Sequence, residues 1–234
     1  MNDNFKPTAS SVRIILFGSE GGFSRPVLEQ LLARGLNVTG VVIVEPLPDT
    51  NNFPVAVKQT AKRGSLEEMA TKNRVEIIRT QKLDDDAFIQ QLTEKQGDIF
   101  LLACFAQKIP ARIWQKMKRP CWNLHPSLLP GYRGPSPLYW QIKNSEPETG
   151  LTLHEVTRDI DAGNIVARKS LPLPWNQDKN SLDVWVSEQG VKLFYNALIQ
   201  HLQGKLKPEP QDERLASYFP APKRGASADK INRE

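Results

Sequence analysis

Three apolar runs, Val12–Phe17, Val38–Val44 and Ile99–Phe105, decide most of what this chain can become. Each has the length of a strand and lacks the alternation that marks a sheet with one wet face. Strands of that kind are buried on both sides, so their sheet needs helices on each face. The first two runs enclose a suitable helix. Gly18–Gly22 reads as a tight turn, Pro26–Arg34 carries Val27, Leu28, Leu31 and Leu32 on one helical face, and Gly35 stands where a helix ends. Strand, turn, helix and strand form a βαβ unit, which predicts an α/β fold built on a parallel sheet. No run approaches the roughly 20 apolar residues that span a bilayer. The opening MNDNFKPTAS has no apolar core and is not expected to act as a signal peptide.

The rest of the chain continues the pattern. Glu45–Gly64, with three prolines and Asn51-Asn52, reads as a long loop. Ser65–Lys72 reads as a helix with Ser65 and Glu68 at capping-box spacing, followed by a short strand at Val75–Ile78. Asp84-Asp85-Asp86 puts negative charge at the start of a helix carrying Phe88, Ile89 and Leu92. Pro110 suits the first turn of a helix running to about Met117. Cys121–His125 reads as a strand, Pro137–Lys143 as a helix, and Leu151–Thr157 as an alternating strand. The turn RDIDAG leads to a second alternating run, NIVARKSLPLP, and a long helix covers about Ser181–Gln203. Beyond Gly204 the residues turn polar and no further packed element is expected. The implied organisation is a flexible start at 1–10, one domain at 11–207 and a polar tail at 208–234.

Charge and cysteine content narrow the functional classes. The net charge is +5, from 31 Lys and Arg against 26 Asp and Glu, and the basic residues are scattered in small groups. That distribution describes a solvated surface better than a nucleic-acid face. Cys104 and Cys121 lie in apolar surroundings without metal-type spacing, and read as reduced core thiols of a cytoplasmic protein. With three histidines and neither C-x-x-C nor H-E-x-x-H, no metal site is expected.

Three short segments could carry chemistry. Gly18-Ser19-Glu20-Gly21-Gly22 resembles a dinucleotide turn but has Glu20 where the second glycine belongs, and a carboxylate there would repel a pyrophosphate. The second segment is Asn123-Leu124-His125-Pro126-Ser127-Leu128-Leu129-Pro130. On a strand, Asn123 and His125 point to the same face. An amide can donate to a developing oxyanion and an imidazole can move a proton near neutral pH. A core histidine with satisfied hydrogen bonds fits the same spacing. Ser127 stands on no G-x-S-x-G elbow, so an enzyme of this sequence would draw its nucleophile from the substrate. The third segment is Arg158-Asp159-Ile160-Asp161-Ala162-Gly163-Asn164. Asp161 there reads either as an ordinary turn residue or as a carboxylate that orients an imidazole and raises its pKa.

NLHPSLLPGYRGPSPLYW together with ETGLTLHEVTRDIDAGNIV resembles the formyltransferases that use 10-formyltetrahydrofolate. The likeness runs from RIILFGSEGGF near residue 13 to QDERLASYFP near residue 220. The resemblance implies a Rossmann-like formyltransferase fold, a mixed, mostly parallel sheet with helices on both faces. It implies a catalytic set of Asn123, His125 and Asp161. In that scheme a substrate amine attacks the N10-formyl carbon, Asn123 and protonated His125 stabilise the oxyanion, and Asp161 orients His125. It also implies that the folate co-substrate, 10-formyltetrahydrofolate, sits near Gln107, Lys108, Ile109, Arg158, Asp159 and Ile160. Glu20 argues against a phosphoribosyl substrate, and the modestly basic 45–64 loop and the chain's end near residue 234 argue against RNA. The expected acceptor is therefore a small amine, such as an amino sugar, bound by variable loops around 20–25, 45–64 and 131–140. Methionyl-tRNA formyl transfer without a carboxy-terminal domain, and a folate-binding module without turnover, are the alternatives.

Overall fold

A computed structural model describes residues 8–19, 23–45, 64–105, 107–115, 120–173 and 179–222. Seven strands form one sheet: β1 (Ile14–Gly18), β2 (Val38–Val44), β3 (Glu76–Thr80), β4 (Ile99–Ala103), β5 (Cys121–His125), β6 (Glu148–Glu155) and β7 (Ile165–Pro172). Their order is β3-β2-β1-β4-β5-β6-β7. The first five are parallel, and β6 and β7 join antiparallel. The sheet is thus mixed and mostly parallel, as the resemblance implies.

Side-chain alternation explains why the strand runs are apolar throughout. Along β1, Ile14 and Leu16 join one buried cluster, while Ile15 and Phe17 join another. The first cluster is closed by α1 (Ser24–Ala33) and α6 (Lys179–Leu202), through residues such as Leu28, Leu31 and Phe194. The second takes Phe88 and Leu92 from α3 (Asp86–Glu94) and Ile113 from α4 (Ala111–Trp114). Among the described residues the two remaining helices are α2 (Leu66–Lys72) and α5 (Pro137–Lys143).

Strand order reverses between β1 and β4, which makes the carboxyl ends of β1, β4 and β5 the natural place for a crevice. Ser24 ties that rim together. Its hydroxyl donates to the Ala103 carbonyl at 2.6 Å and accepts the Ser19 N–H at 3.0 Å. A Cβ on Gly18 would meet the Leu66 side chain at 2.7 Å, which accounts for the glycine at the end of β1.

Several elements differ from expectation. Ser65 caps α2 by accepting the Glu68 N–H at 3.0 Å, but the Glu68 carboxylate reaches back to the Gly64 N–H. Helix α4 ends at Trp114, with Pro110 as its N-cap; Met117 lies outside the described residues. Strand β6 begins at Glu148 and is buried from Thr149 through His154 rather than alternating. The loop after β5 covers the face that would otherwise be wet, and a Cβ on Gly150 would meet Leu128 at 2.3 Å. Cys104 is exposed, with φ +55°, so of the two thiols only Cys121 is in the core. At the start of the chain, Ala9 is buried in a 3-10 turn over Ala9–Ser11 instead of belonging to a loose arm.

The largest departure follows α6. Residues 205–222 run back as an ordered strap, not a polar tail. Glu209 bridges to Ile165, Tyr218 bridges to Arg133, and the Trp140 indole N–H donates to the Pro220 carbonyl at 2.8 Å. Most of these contacts are backbone pairings and polar side chains, with Phe219 stacked on Tyr132 as an isolated aromatic anchor, and they leave no apolar periodicity in the sequence. Glu20-Gly21-Gly22, most of the 45–64 loop and residues 223–234 lie outside the described residues.

Candidate active site

Strand β5 delivers Asn123 and His125 to one face at its carboxyl end. The antiparallel register sets His154 of β6 directly opposite Asn123. Asp161 reaches the same point from the turn between β6 and β7, with its backbone in the left-handed region at φ +53°. Two donors reach the Asp161 carboxylate, and two imidazole nitrogens lie beside it. Asn123 Nδ2 donates to Oδ1 at 3.1 Å and the Gly134 N–H donates to Oδ2 at 2.8 Å. His154 Nε2 lies 3.3 Å from Oδ1, and His125 Nδ1 lies 3.6 Å from Oδ2.

Tautomers follow from the partners. A carbonyl can only accept, so His125 Nε2 carries the proton in its 2.8 Å bond to the Tyr132 carbonyl. His154 Nδ1 likewise donates to the Glu155 carbonyl at 2.9 Å, leaving its Nε2 to accept Asn123 Nδ2 at 3.0 Å. Both Asn123 amide hydrogens are therefore committed, one to Asp161 and one to His154. The 3.6 Å gap between His125 Nδ1 and Asp161 is too long for a direct hydrogen bond.

Burial and charge act against each other here. Burial alone pushes the Asp161 carboxyl upward, but the attraction of the His125 and His154 rings in their protonated forms, with the Gly134 N–H, holds it well below the ordinary carboxylate range. Burial lowers the pKa of His125; Asp161 raises it in part, His154 lowers it further, and the Tyr132 carbonyl adds support for the charged form. The net direction is down. The expectation that Asp161 lifts His125 toward a protonated state at neutral pH is corrected accordingly: desolvation of a fully enclosed imidazole outweighs one neighbouring carboxylate.

The three residues open onto a cavity of about 350 Å³. Gln107, Lys108, Ile109, Asp159 and Ile160 line it, whereas Arg158 does not. Leu102 and Val156 add apolar wall, and Tyr139, Asp183 and Tyr218 also line the cavity. The loop after β5 is fixed by its own bonds. Ser127 Oγ donates to the Gly131 carbonyl at 2.7 Å, Thr152 Oγ1 donates to the Ser127 carbonyl at 2.7 Å, and Gln141 Nε2 donates to the Pro126 carbonyl at 2.9 Å.

The formyl transferase family model matches residues 12–198, most of the chain. The chain belongs to the formyl transferase family. Among curated relatives, the methionyl-tRNA formyltransferase of Halalkalibacterium halodurans is 31% identical over 206 residues, covering 88% of this chain and 63% of that protein. The chain thus spans a little under two thirds of such relatives' length. HypX from Aquifex aeolicus, solved with tetrahydrofolic acid, superposes with a TM-score of 0.61 at 23% identity over 89% of this chain and 30% of that one. The Helicobacter canadensis N-formyltransferase, solved with folinic acid and dTDP-3-aminofucose, gives 0.58 at 23% over 88% and 70%. The phosphoribosylglycinamide formyltransferase of Bacillus halodurans gives 0.61 at 20% over 81% and 95%.

Within this formyl transferase chain, His154 and Gln211 belong to the site although neither was singled out from sequence. The signal for His154 is its alternation in LTLHEVT, usable once β5 and β6 are known to pair in register. Gln211 donates to the carbonyls of Asp161 at 2.8 Å and Gly163 at 2.7 Å from a segment with no pattern at all. Among the described residues no group of three or more His, Cys, Asp or Glu is arranged to hold a metal ion.

Proposed function

We propose that this chain transfers the formyl group of 10-formyltetrahydrofolate to a primary amine of a small-molecule acceptor. The observation that carries the reading is the fixed tautomer of His125. With Nε2–H held by the Tyr132 carbonyl and a neutral ring, Nδ1 is a bare base facing the Asp161 carboxylate across 3.6 Å. The co-substrate supplies an activated formyl carbon. The acceptor nitrogen forms the new N–C bond, the N10–C bond breaks, and the proton that leaves the amine must end on the folate N10.

His125 Nδ1 takes that proton, directly or through one bridging water, and the imidazolium so formed is stabilised by Asp161. Asn123 borders the cavity and donates to the developing oxyanion by exchanging its contact with His154. Leu102, Ile109 and Val156 would hold the faces of the pterin, and the loop backbone at Gln107–Ile109 and Asp159–Ile160 its polar edges. Folate ligands in two proteins of similar fold, HypX and the Helicobacter enzyme, support this assignment.

Lining charge favours a small cationic amine as acceptor. Among the described residues the cavity is bordered by Asp159, Asp161 and Asp183 against Lys108 alone of the lysines and arginines. That balance attracts an ammonium group and repels a phosphate backbone. The names of the curated relatives favour a second reading, transfer to methionyl-tRNA. Incubation with 10-formyltetrahydrofolate and pools of small amines, beside charged initiator tRNA, separates the two. Formylation of a small amine is expected. Folate release without any formylated acceptor removes the transferase reading, and preferential formylation of the tRNA replaces the acceptor.

A further inference from the structure

We infer that Gln211 is a positioning residue for this reaction, holding the Asp161 turn and the 131–134 loop in one frame around His125. The inference rests on the formyl-transfer reading of the site. Gln211 lies in the strap that follows α6, in a segment whose composition reads as solvent-exposed tail.

Its side chain is used completely. Both Nε2 hydrogens go to the turn, to the Asp161 carbonyl at 2.8 Å and the Gly163 carbonyl at 2.7 Å. Both lone-pair positions of Oε1 take the Arg133 guanidinium, from Nη2 at 2.7 Å and Nε at 3.3 Å. Arg133 is buried and also reaches Glu213, from Nη1 at 2.9 Å and Nη2 at 2.7 Å. One amide therefore links the two segments that define the geometry of His125. The first supplies Asp161. The second supplies the Tyr132 carbonyl on His125 Nε2 and the Gly134 N–H on Asp161 Oδ2.

The turn needs such a partner. Asp161 has φ +53°, a conformation that costs a residue with a Cβ and persists only where its surroundings impose it. Inside the turn, the Ala162 N–H reaches the Asp159 carbonyl at only 3.4 Å. On the far side the turn is pressed against β6, where a Cβ on Gly163 would lie 1.8 Å from the Glu155 carbonyl oxygen. Glutamine is required at 211 and glutamate is not equivalent. Two carbonyl oxygens face Nε2, and a carboxylate oxygen there would repel both.

A role limited to anchoring the strap predicts lost stability alone, whereas a positioning role also predicts a changed His125. The groups facing that imidazole are Asp161, His154 and the Tyr132 carbonyl; Asp161 hangs on Gln211 directly, and the Tyr132 carbonyl hangs on it through Arg133. Gln211→Glu keeps the side chain's size and its Arg133 contacts, and Gln211→Ala removes both. His125 is titrated by NMR in each variant, its resonance identified by its absence in His125→Ala. This measurement needs no substrate, so it decides the inference even if the wild-type protein transfers no formyl group, a result that would defeat the functional reading alone. In both variants the His125 pKa is expected to fall by about one unit as the Asp161 charge moves away. The kcat for formyl transfer is expected to drop about 100-fold while the KM for 10-formyltetrahydrofolate stays within about twofold. Should Gln211→Ala melt below the assay temperature, Gln211→Glu carries the test alone. An unchanged His125 titration in a folded variant overturns the assignment, as does a loss of activity that only follows a lowered Tm.

Discussion

The Gly134 N–H donates to Asp161 Oδ2 at 2.8 Å, joining the loop after β5 to the turn after β6 at the point where His125 sits between them. Gly134 has φ +116°, and a Cβ there would lie 2.1 Å from the Phe219 carbonyl oxygen of the strap. Loop, turn and strap are thus packed backbone against backbone, with no room for a side chain. This gives the R-G pair at Arg133-Gly134 a physical meaning. The arginine grips the strap and the glycine lets it approach.

Gly134→Ala should therefore act on both stability and activity. The new methyl must displace Phe219, whose ring stacks on Tyr132 at 4.7 Å, or twist the N–H away from Asp161. The expected loss of stability is about 2–4 kcal/mol, the range for backbone strain combined with lost packing. Urea melts and formyl-transfer rates on the same preparation check it. An alanine variant with unaltered melting and rate would show that the strap is not seated as described.

Asp161→Asn replaces the carboxylate with a group of the same shape. The amide cannot stabilise an imidazolium at His125, and its NH2 would oppose either the Gly134 N–H or the Asn123 amide. Transfer is expected to fall on the order of 100- to 10,000-fold, the usual contribution of general acid–base catalysis. Folate affinity should stay near wild type, read by fluorescence quenching. Rates within about threefold of wild type would remove Asp161 from the reaction.

His125→Ala separates the proton-moving role from the architecture. The imidazole occupies the end of β5 without being part of the hydrophobic clusters, and the variant loses its bond to the Tyr132 carbonyl. The expected cost in stability is about 1–3 kcal/mol for the half-buried carbonyl left unpaired. Transfer is expected to be lost while the far-UV circular dichroism is retained. Exogenous imidazole restoring part of the rate would tie the loss to the missing base.

How much of this was legible in the sequence depends on the distance over which each contact acts. The strands were legible because Ile14 to Phe17 must satisfy two cores at once, a demand written in adjacent residues. Asn123 and His125 were legible as a pair because a strand places alternate residues on one face. Their use of hydrogens was not, since it depends on His154, which enters only through the β5–β6 register. The strap was illegible for a different reason. Gln211 bonds to Asp161 and Arg133 across 50 and 78 residues with polar atoms, and nothing periodic marks such contacts. The direction of the His125 pKa was also out of reach, because it turns on complete burial rather than on the neighbouring charge.

Acid should weaken this protein in two stages, both of the same sign. Burial lowers the pKa of His125, so below the ordinary imidazole pKa of about 6.5 the unfolded chain binds a proton that the folded chain resists. Stability then declines as pH falls through and below that value. Asp161 is held well below the ordinary carboxylate range, so its contribution is intact above about 4 and is lost as pH falls further toward the folded-state value. Of these two groups, only His125 acts in the window between the two values. Thermal melts at pH 7.5, 5.5 and 3.5 should show a first decrease that His125→Ala abolishes and a second that Asp161→Asn reduces. A wild-type Tm that is flat between pH 7.5 and 5.5 would mean that His125 is not buried in its neutral form. The transfer rate should follow the first step as well, because protonating Nδ1 removes the base while Tyr132 keeps the opposite nitrogen engaged.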